Sequence, residues 1–168
     1  SNDTGGGGSS SSSQQQGPQR EAPIDCIAFP DDGAAKRFSF MFAGRGYEIV
    51  TCGKTRDGDK RLVTIQDGDP SGKNVIIVDD LVQTGGTLYE CGVALRAAGA
   101  TGVSAFVAHA VFPNQSWRRF TRGGDRACFE KFLVTNSIPT VTDTLPDKDV
   151  FEVLDISEKI VEDLDKYS

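Results

Sequence analysis

The sequence lacks paired cysteines. Cys26, Cys52, Cys91 and Cys128 stand far apart with no Cys-x-x-Cys spacing, which argues against a zinc site and against a disulfide framework. Free thiols, buried as small hydrophobes in a reducing cytoplasm, are the expectation. Long apolar runs are also missing. None approaches the ~20 residues that span a bilayer, so no membrane association is expected. The start of the chain has no basic stretch followed by an apolar one, and hence no visible secretory signal. Excess positive charge is absent too: the net charge is −6, which does not suit non-specific nucleic-acid binding through phosphate neutralisation. There is neither a G-x-x-x-x-G-K-[ST] loop nor a G-x-G-x-x-G string. The single histidine, His109, is read as a satisfied strand-end residue and given no role. Trp117 is read as packing.

Residues 1–20 are low complexity, with runs of Gly, Ser and Gln. They hold no apolar side chain to offset chain entropy, so a disordered linker is expected, with one domain over residues 22–168. From Ala22 onward, strand-like and helix-like stretches alternate. Strands are expected at Ile24–Phe29, Tyr47–Thr51, Arg61–Ile65, Val75–Val78, Val103–Ala108 and Phe132–Thr135. Helices are expected at Ala34–Phe42, Leu88–Ala98 and Ile156–Leu164, the last with Asp155 and Glu158 as a capping box. Such alternation predicts an α/β fold, a Rossmann-like parallel sheet flanked by helices. Between Lys36 and Arg61 lie Lys36, Arg37, Arg45, Lys54, Arg56, Lys60 and Arg61 against few acids. A basic island on an acidic chain suggests a small anionic ligand.

The segment Asn74–Thr87 reads N-V-I-I-V-D-D-L-V-Q-T-G-G-T: an apolar strand, two acids, a short glycine loop, then a helix. Ligands of parallel sheets bind at the carboxyl ends of strands. Adjacent carboxylates such as Asp79 and Asp80 need hydroxyls or metal-bound water to accept from, and a sugar diol supplies them. Gly85 and Gly86 let the backbone curl against a ligand. The helix start near Thr87 favours phosphate, and Thr84 and Thr87 add hydroxyl donors. Diol plus phosphate describes a sugar phosphate.

That string resembles the phosphoribosyl-pyrophosphate motif of the type I phosphoribosyltransferase fold. Phe29-Pro-Asp-Asp-Gly-Ala-Ala-Lys-Arg37, Gly53-Lys-Thr-Arg56, Val134–Pro139 and Leu154–Ser157 are similar to stretches of ribose-phosphate pyrophosphokinases. Phe112-Pro-Asn-Gln-Ser-Trp117 with Arg119-Phe120 is similar to their class II, plant-type branch. The resemblance covers about Ile24 to Leu164 and fits the C-terminal domain of a two-domain enzyme. It implies ribose 5-phosphate, ATP and phosphoribosyl pyrophosphate as ligands, Mg²⁺ as cofactor and a homo-oligomer. Asp79 and Asp80 would hold ribose hydroxyls. Gln83, Thr84, Gly85, Gly86 and Thr87 would cradle the 5-phosphate, Asp31 would hold the metal, and Lys54 and Arg56 would act catalytically on the diphosphoryl group. Gln83 departs from the family's usual Asp. ATP-binding segments would come from an N-terminal domain that has no counterpart here, so the chain alone is expected to be inactive. A salvage phosphoribosyltransferase and a non-catalytic regulator of a partner enzyme remain open alternatives.

Overall fold

β-branched and aromatic side chains dominate the strands, as a pleated surface buried on its faces requires. The structure, a computed structural model, describes residues 22–57 and 60–167, without the side chains of residues 56–61. The stretch read as a linker, residues 1–20, lies outside the described residues.

The elements run β1 (Cys26–Phe29), α1 (Asp32–Phe38), β2 (Glu48–Asp57), β3 (Lys60–Asp67), β4 (Asn74–Val82), α2 (Gly86–Ala97), β5 (Gly102–Ala110), β6 (Phe132–Thr135), α3 (Pro139–Thr142), β7 (Phe151–Leu154) and α4 (Ser157–Leu164). A 3-10 turn, Ser39–Met41, follows α1, and an irregular 3-10 segment, Pro113–Phe120, links β5 to β6. Among the described residues the strands form one seven-stranded sheet in the order β3-β2-β1-β4-β5-β6-β7. All neighbours are parallel except β2 and β3, which form an antiparallel pair. The α/β expectation therefore holds.

The two faces of the sheet are covered unequally. On one, Leu88, Cys91 and Leu95 of α2, together with Trp117, Phe120 and Phe129, pack on Ala28, Val50, Ile77, Val107 and Phe132. Phe132 lies at the centre of a ring cluster, 5.3–5.6 Å from the centroids of Phe112, Phe120, Phe129 and Phe151. On the other face Ala34, Ala35 and Phe38 of α1 pack with Phe42 on Ile27, Phe29, Ile76, Val78 and Phe106. Direction explains the inequality. Successive right-handed crossovers from β4 to β7 fall on a single side, while the β1-to-β2 crossover runs the opposite way and places α1 on the reverse.

Several expected elements are corrected. Residues 54–57 and 60, where no strand is expected from the sequence, belong to the hairpin, with Lys54 opposite Val63 and Arg56 opposite Arg61. Its Val63 and Ile65 pack on the core, which holds a polar partner strand in extended form. β4 does not stop at Val78 but continues through both acids to Val82, because β5 pairs with it as far as Ala110. Asp155 forms no capping box. Its Oδ1 accepts from the Ser157 amide at 2.8 Å and from Asn136 Nδ2 at 2.7 Å.

Candidate functional site

β1 leads away toward β2 and β4 leads away toward β5, so the chain diverges between two adjacent parallel strands. The crevice outside the carboxyl ends of such a pair is where open α/β sheets bind ligands. Asp31 follows β1 there, and Asp79 and Asp80 lie near the end of β4. A pocket of about 410 Å³ opens at this point, lined by Asp31, Lys54, Asp79, Glu90 and the continuous run Leu81–Leu88. It brings together eight of the ten residues singled out in the sequence: Asp31, Lys54, Asp79, Gln83, Thr84, Gly85, Gly86 and Thr87.

The glycine loop has its shape for a local reason. Gly85 takes φ 74° at the N-cap of α2, a left-handed conformation that L side chains resist. Its carbonyl accepts from the Tyr89 amide at 2.9 Å, closing the first turn of the helix. A Cβ at position 85 would run into the ring of Phe120. At Gly86, by contrast, a Cβ would meet only Arg126 Nη1 at 3.5 Å and Thr84 Oγ1 at 4.0 Å. The loop thus rests on the segment between β5 and β6. Ser116 Oγ donates to the Gln83 carbonyl at 3.5 Å, and the Arg126 guanidinium lies 5.2 Å from the Tyr89 ring centroid. Sequence reasoning missed this buttress. Its only signal is the run of aromatics from Phe112 to Phe132, because Phe112, Asn114 and Gln115 all have positive φ and break any periodicity.

The two acids separate. Successive residues of a strand point to opposite faces. Asp79 turns toward the glycine loop, whereas Asp80 turns to the α1 side and lies 3.6 Å from Arg37 Nη2. The Asp80 amide donates to Asp79 Oδ1 at 3.0 Å. Half-burial raises the Asp79 carboxyl to about 6, and the charges of Asp80 and Asp31 add to the rise. Asp31 caps α1: its Oδ1 accepts from the Ala34 amide at 2.9 Å, leaving its second oxygen for the pocket.

Lys54 reaches in from β2, with Nζ 3.4 Å from Thr87 Oγ1. Arg56 lies two residues further along the same strand, and its side chain is outside the described residues. Of the basic island, Lys36, Arg37 and Arg45 do not line this pocket. His109 is exposed, with Nδ1 2.9 Å from Ser137 Oγ. The cysteines are free thiols. Cys91 donates to the Cys52 sulfur at 2.9 Å beneath the pocket, and this contact with burial pushes the Cys91 thiol far up. Among the described residues no helix is long and apolar enough to cross a membrane.

Known proteins are similar to this chain in sequence and in fold. Ribose-phosphate pyrophosphokinase 4 of Oryza sativa subsp. japonica is 48% identical over 141 residues, 82% of this chain and 43% of its own length. The protein of the same name from Arabidopsis thaliana is 47% identical over 149 residues, 88% of this chain and 43% of its own. The chain thus spans less than half the length of these relatives. The crystal structure of phosphoribosylpyrophosphate synthetase from Mycobacterium smegmatis superposes with a TM-score of 0.64 at 26% identity, covering 86% of this chain and 45% of that one. The profile of the phosphoribosyl transferase domain matches residues 46–134, from the hairpin that carries Lys54 to the strand beyond the buttress. A match over that half of the molecule, with the glycine loop and the switch-point acids at its centre, makes this chain a member of the phosphoribosyl transferase domain family.

Proposed function

We propose that residues 22–168 form the sugar-phosphate half of a ribose-phosphate diphosphokinase, a cytoplasmic homo-oligomer that transfers diphosphate from ATP to the 1-hydroxyl of ribose 5-phosphate. The observation that carries this reading is the convergence of Asp79, Lys54 and the Gln83–Thr87 loop on one pocket at the switch point. The amides at the start of α2, with the hydroxyls of Thr84 and Thr87, hold the 5-phosphate. Asp79 accepts hydrogen bonds from the ribose hydroxyls, and the Asp80 amide fixes its orientation. Asp80 faces Arg37 on the other side of the strand, so its part in this reading is played by its amide and not by its carboxylate. Lys54, joined by Arg56, stabilises charge on the group in transit.

The donor set fits Mg²⁺. A magnesium ion is held by one or two carboxylates, with waters and substrate phosphates completing the octahedron, and Asp31 and Asp79 present two oxygen-bearing groups to the pocket. When bound, the ion neutralises phosphoryl oxygens. The four free thiols suit the reducing compartment.

Titration calorimetry with ribose 5-phosphate, ribose and inorganic phosphate tests the site. Ribose 5-phosphate is expected to bind more tightly than either part alone. Equal affinity for free ribose would remove the phosphate loop from the reading. AMP release from ATP and ribose 5-phosphate by the complete enzyme, against pyrophosphate release with free bases, then separates the diphosphokinase from a salvage transferase.

A further inference from the structure

The 5-phosphate lacks a cation of its own. Lys54 is given to the group in transit, and the other charged residues lining the pocket are Asp31, Asp79 and Glu90. A phosphate ester brings ~1.5 to 2 further negative charges at pH 7. The start of α2 offsets only about half a charge. A cation beside the glycine loop is therefore called for, and Lys36, Arg37 and Arg45 do not line the pocket.

The segment between β5 and β6 brings one there. The Gly124 amide donates to the Thr121 carbonyl at 2.8 Å, and the Arg126 amide to the Arg119 carbonyl at 2.8 Å. These bonds fold the chain back and lay the Arg126 side chain over Tyr89 in the first turn of α2, its guanidinium 5.2 Å from the ring centroid. Tyr89 in turn packs on the core. Arg126 Nη1 stands 3.5 Å from the point where a Cβ on Gly86 would be, and Thr84 Oγ1 stands 4.0 Å from the same point. Thr84 and Gly86 both line the pocket. The space that the glycine leaves open is thus flanked by a guanidinium and a hydroxyl.

The surroundings leave that guanidinium without a counter-ion. Asp125, next to it in the chain, is held by Arg119, whose Nε donates to Oδ1 at 3.0 Å. This bond is the main cause of the lowered Asp125 carboxyl, to which Arg126 adds the smallest part. No carboxylate lies within ion-pair distance of Arg126 among the described residues. A cation at the first turn of a helix stands at the positive end of the dipole, an unfavourable place that an anion relieves. Stacking on an aromatic face leaves the guanidinium donors in its plane free to bond.

We propose that Arg126 is a second anchor for the 5-phosphate: its guanidinium, held at the loop by Tyr89, donates to the phosphate across Gly86, opposite the Thr84 hydroxyl. It thereby sets the preference for a phosphorylated over a free sugar. The planar fork of donors matches a pair of phosphate oxygens, with charge-assisted bonds of about 2.7–2.9 Å. The assignment rests on the sugar-phosphate reading of the pocket and adds to it a residue from outside the loop.

Calorimetry and ³¹P NMR on the chain test it. Arg126→Gln is expected to raise the dissociation constant for ribose 5-phosphate at least about tenfold, as the loss of hydrogen bonds to a charged group does, and to leave that for free ribose unchanged. Arg126→Lys, which keeps the charge but not the fork, is expected to fall between Arg126→Gln and the wild type. The second ionisation of the bound phosphate, at about pH 6 in a free ester, is expected to lie higher in Arg126→Gln than in the wild type, a shift that a role in supporting the loop would not produce. Circular dichroism checks each fold. If Arg126→Gln unfolds, Arg126→Met, which keeps an apolar stem over Tyr89, carries the same expectations. A wild type that binds ribose as tightly as ribose 5-phosphate overturns the sugar-phosphate reading and this assignment with it. A wild type that prefers ribose 5-phosphate, with Arg126→Gln equal to it, overturns the assignment of Arg126 alone. So does a loss of affinity shared equally by free ribose, or one without the shift in ionisation.

Discussion

Position 85 tolerates no side chain, for two independent reasons: its φ is 74° and the Phe120 ring fills the space where a Cβ would stand. Gly85→Ala is expected to destabilise the fold by about 2–4 kcal/mol, combining left-handed strain with overpacking, as read by denaturant unfolding. Its neighbour differs. Around Gly86 a Cβ meets nothing closer than 3.5 Å, so Gly86→Val is expected to keep wild-type stability within about 1 kcal/mol while abolishing ribose 5-phosphate binding by calorimetry. A folded Gly86→Val variant with unchanged affinity would displace the phosphate from the loop. Asp79 makes the other prediction at this scale. Its carboxyl is held up at about 6 by burial, above the ~3.9 of an unfolded chain. Between these values the folded state binds more protons than the unfolded one, so this residue's contribution makes stability fall as pH rises from about 4 to about 6 and level off above. Asp79→Asn is expected to flatten that decline. Parallel denaturation profiles for the two proteins across this window would contradict it.

At the scale of elements, the hairpin β2–β3 does what a free loop cannot. Pairing along Lys54–Val63 and Arg56–Arg61 fixes the approach of Lys54 to Thr87. In a complete enzyme, the role proposed for Lys54 on the transferring group leads us to expect Lys54→Ala to lower kcat by roughly 10²-fold or more while shifting ribose 5-phosphate affinity by less than about tenfold. A loss confined to KM would make Lys54 an ordinary substrate contact. The sequence concealed the hairpin because Gly, Asp and Lys between Gly53 and Arg61 have low strand propensity; the pairing comes from tertiary packing of Val63 and Ile65. Phe132–Thr135 was located residue for residue, since a short apolar run bounded by polar residues has few other fates. α2 began two residues before its expected start, at Gly86, because glycine carries no helix-start signal of its own. β7 escaped notice: Phe151–Leu154 alternates with a glutamate and has only four residues.

For the molecule as a whole, the fold class and eight of the ten site residues lining one pocket were readable from strand–helix alternation and one motif. The divergence of Asp79 and Asp80 was not, because it depends on β4 continuing as a strand past Val78. Nor was the buttress, whose contacts span from Gln83 to Ser116 and from Gly86 to Arg126. The chain by itself is expected to bind ribose 5-phosphate yet form AMP negligibly. Orienting ATP in line with the 1-hydroxyl is worth several kcal/mol, up to about 7–11 in the best intramolecular cases, and the half-enzyme proposed above supplies only the sugar-phosphate side of that arrangement. A coupled AMP assay on the purified chain checks this; brisk turnover would place the ATP site within residues 22–168.

Near its carboxyl end β4 carries two successive carboxylates with different neighbours: Asp79 toward the glycine loop, Asp80 beside Arg37 on the α1 side. A single peptide plane joins them, and through it the Asp80 amide holds Asp79 Oδ1. A substitution that turns this plane moves both carboxylates at once, so the two sides of the sheet cannot be tuned independently at this point of the strand.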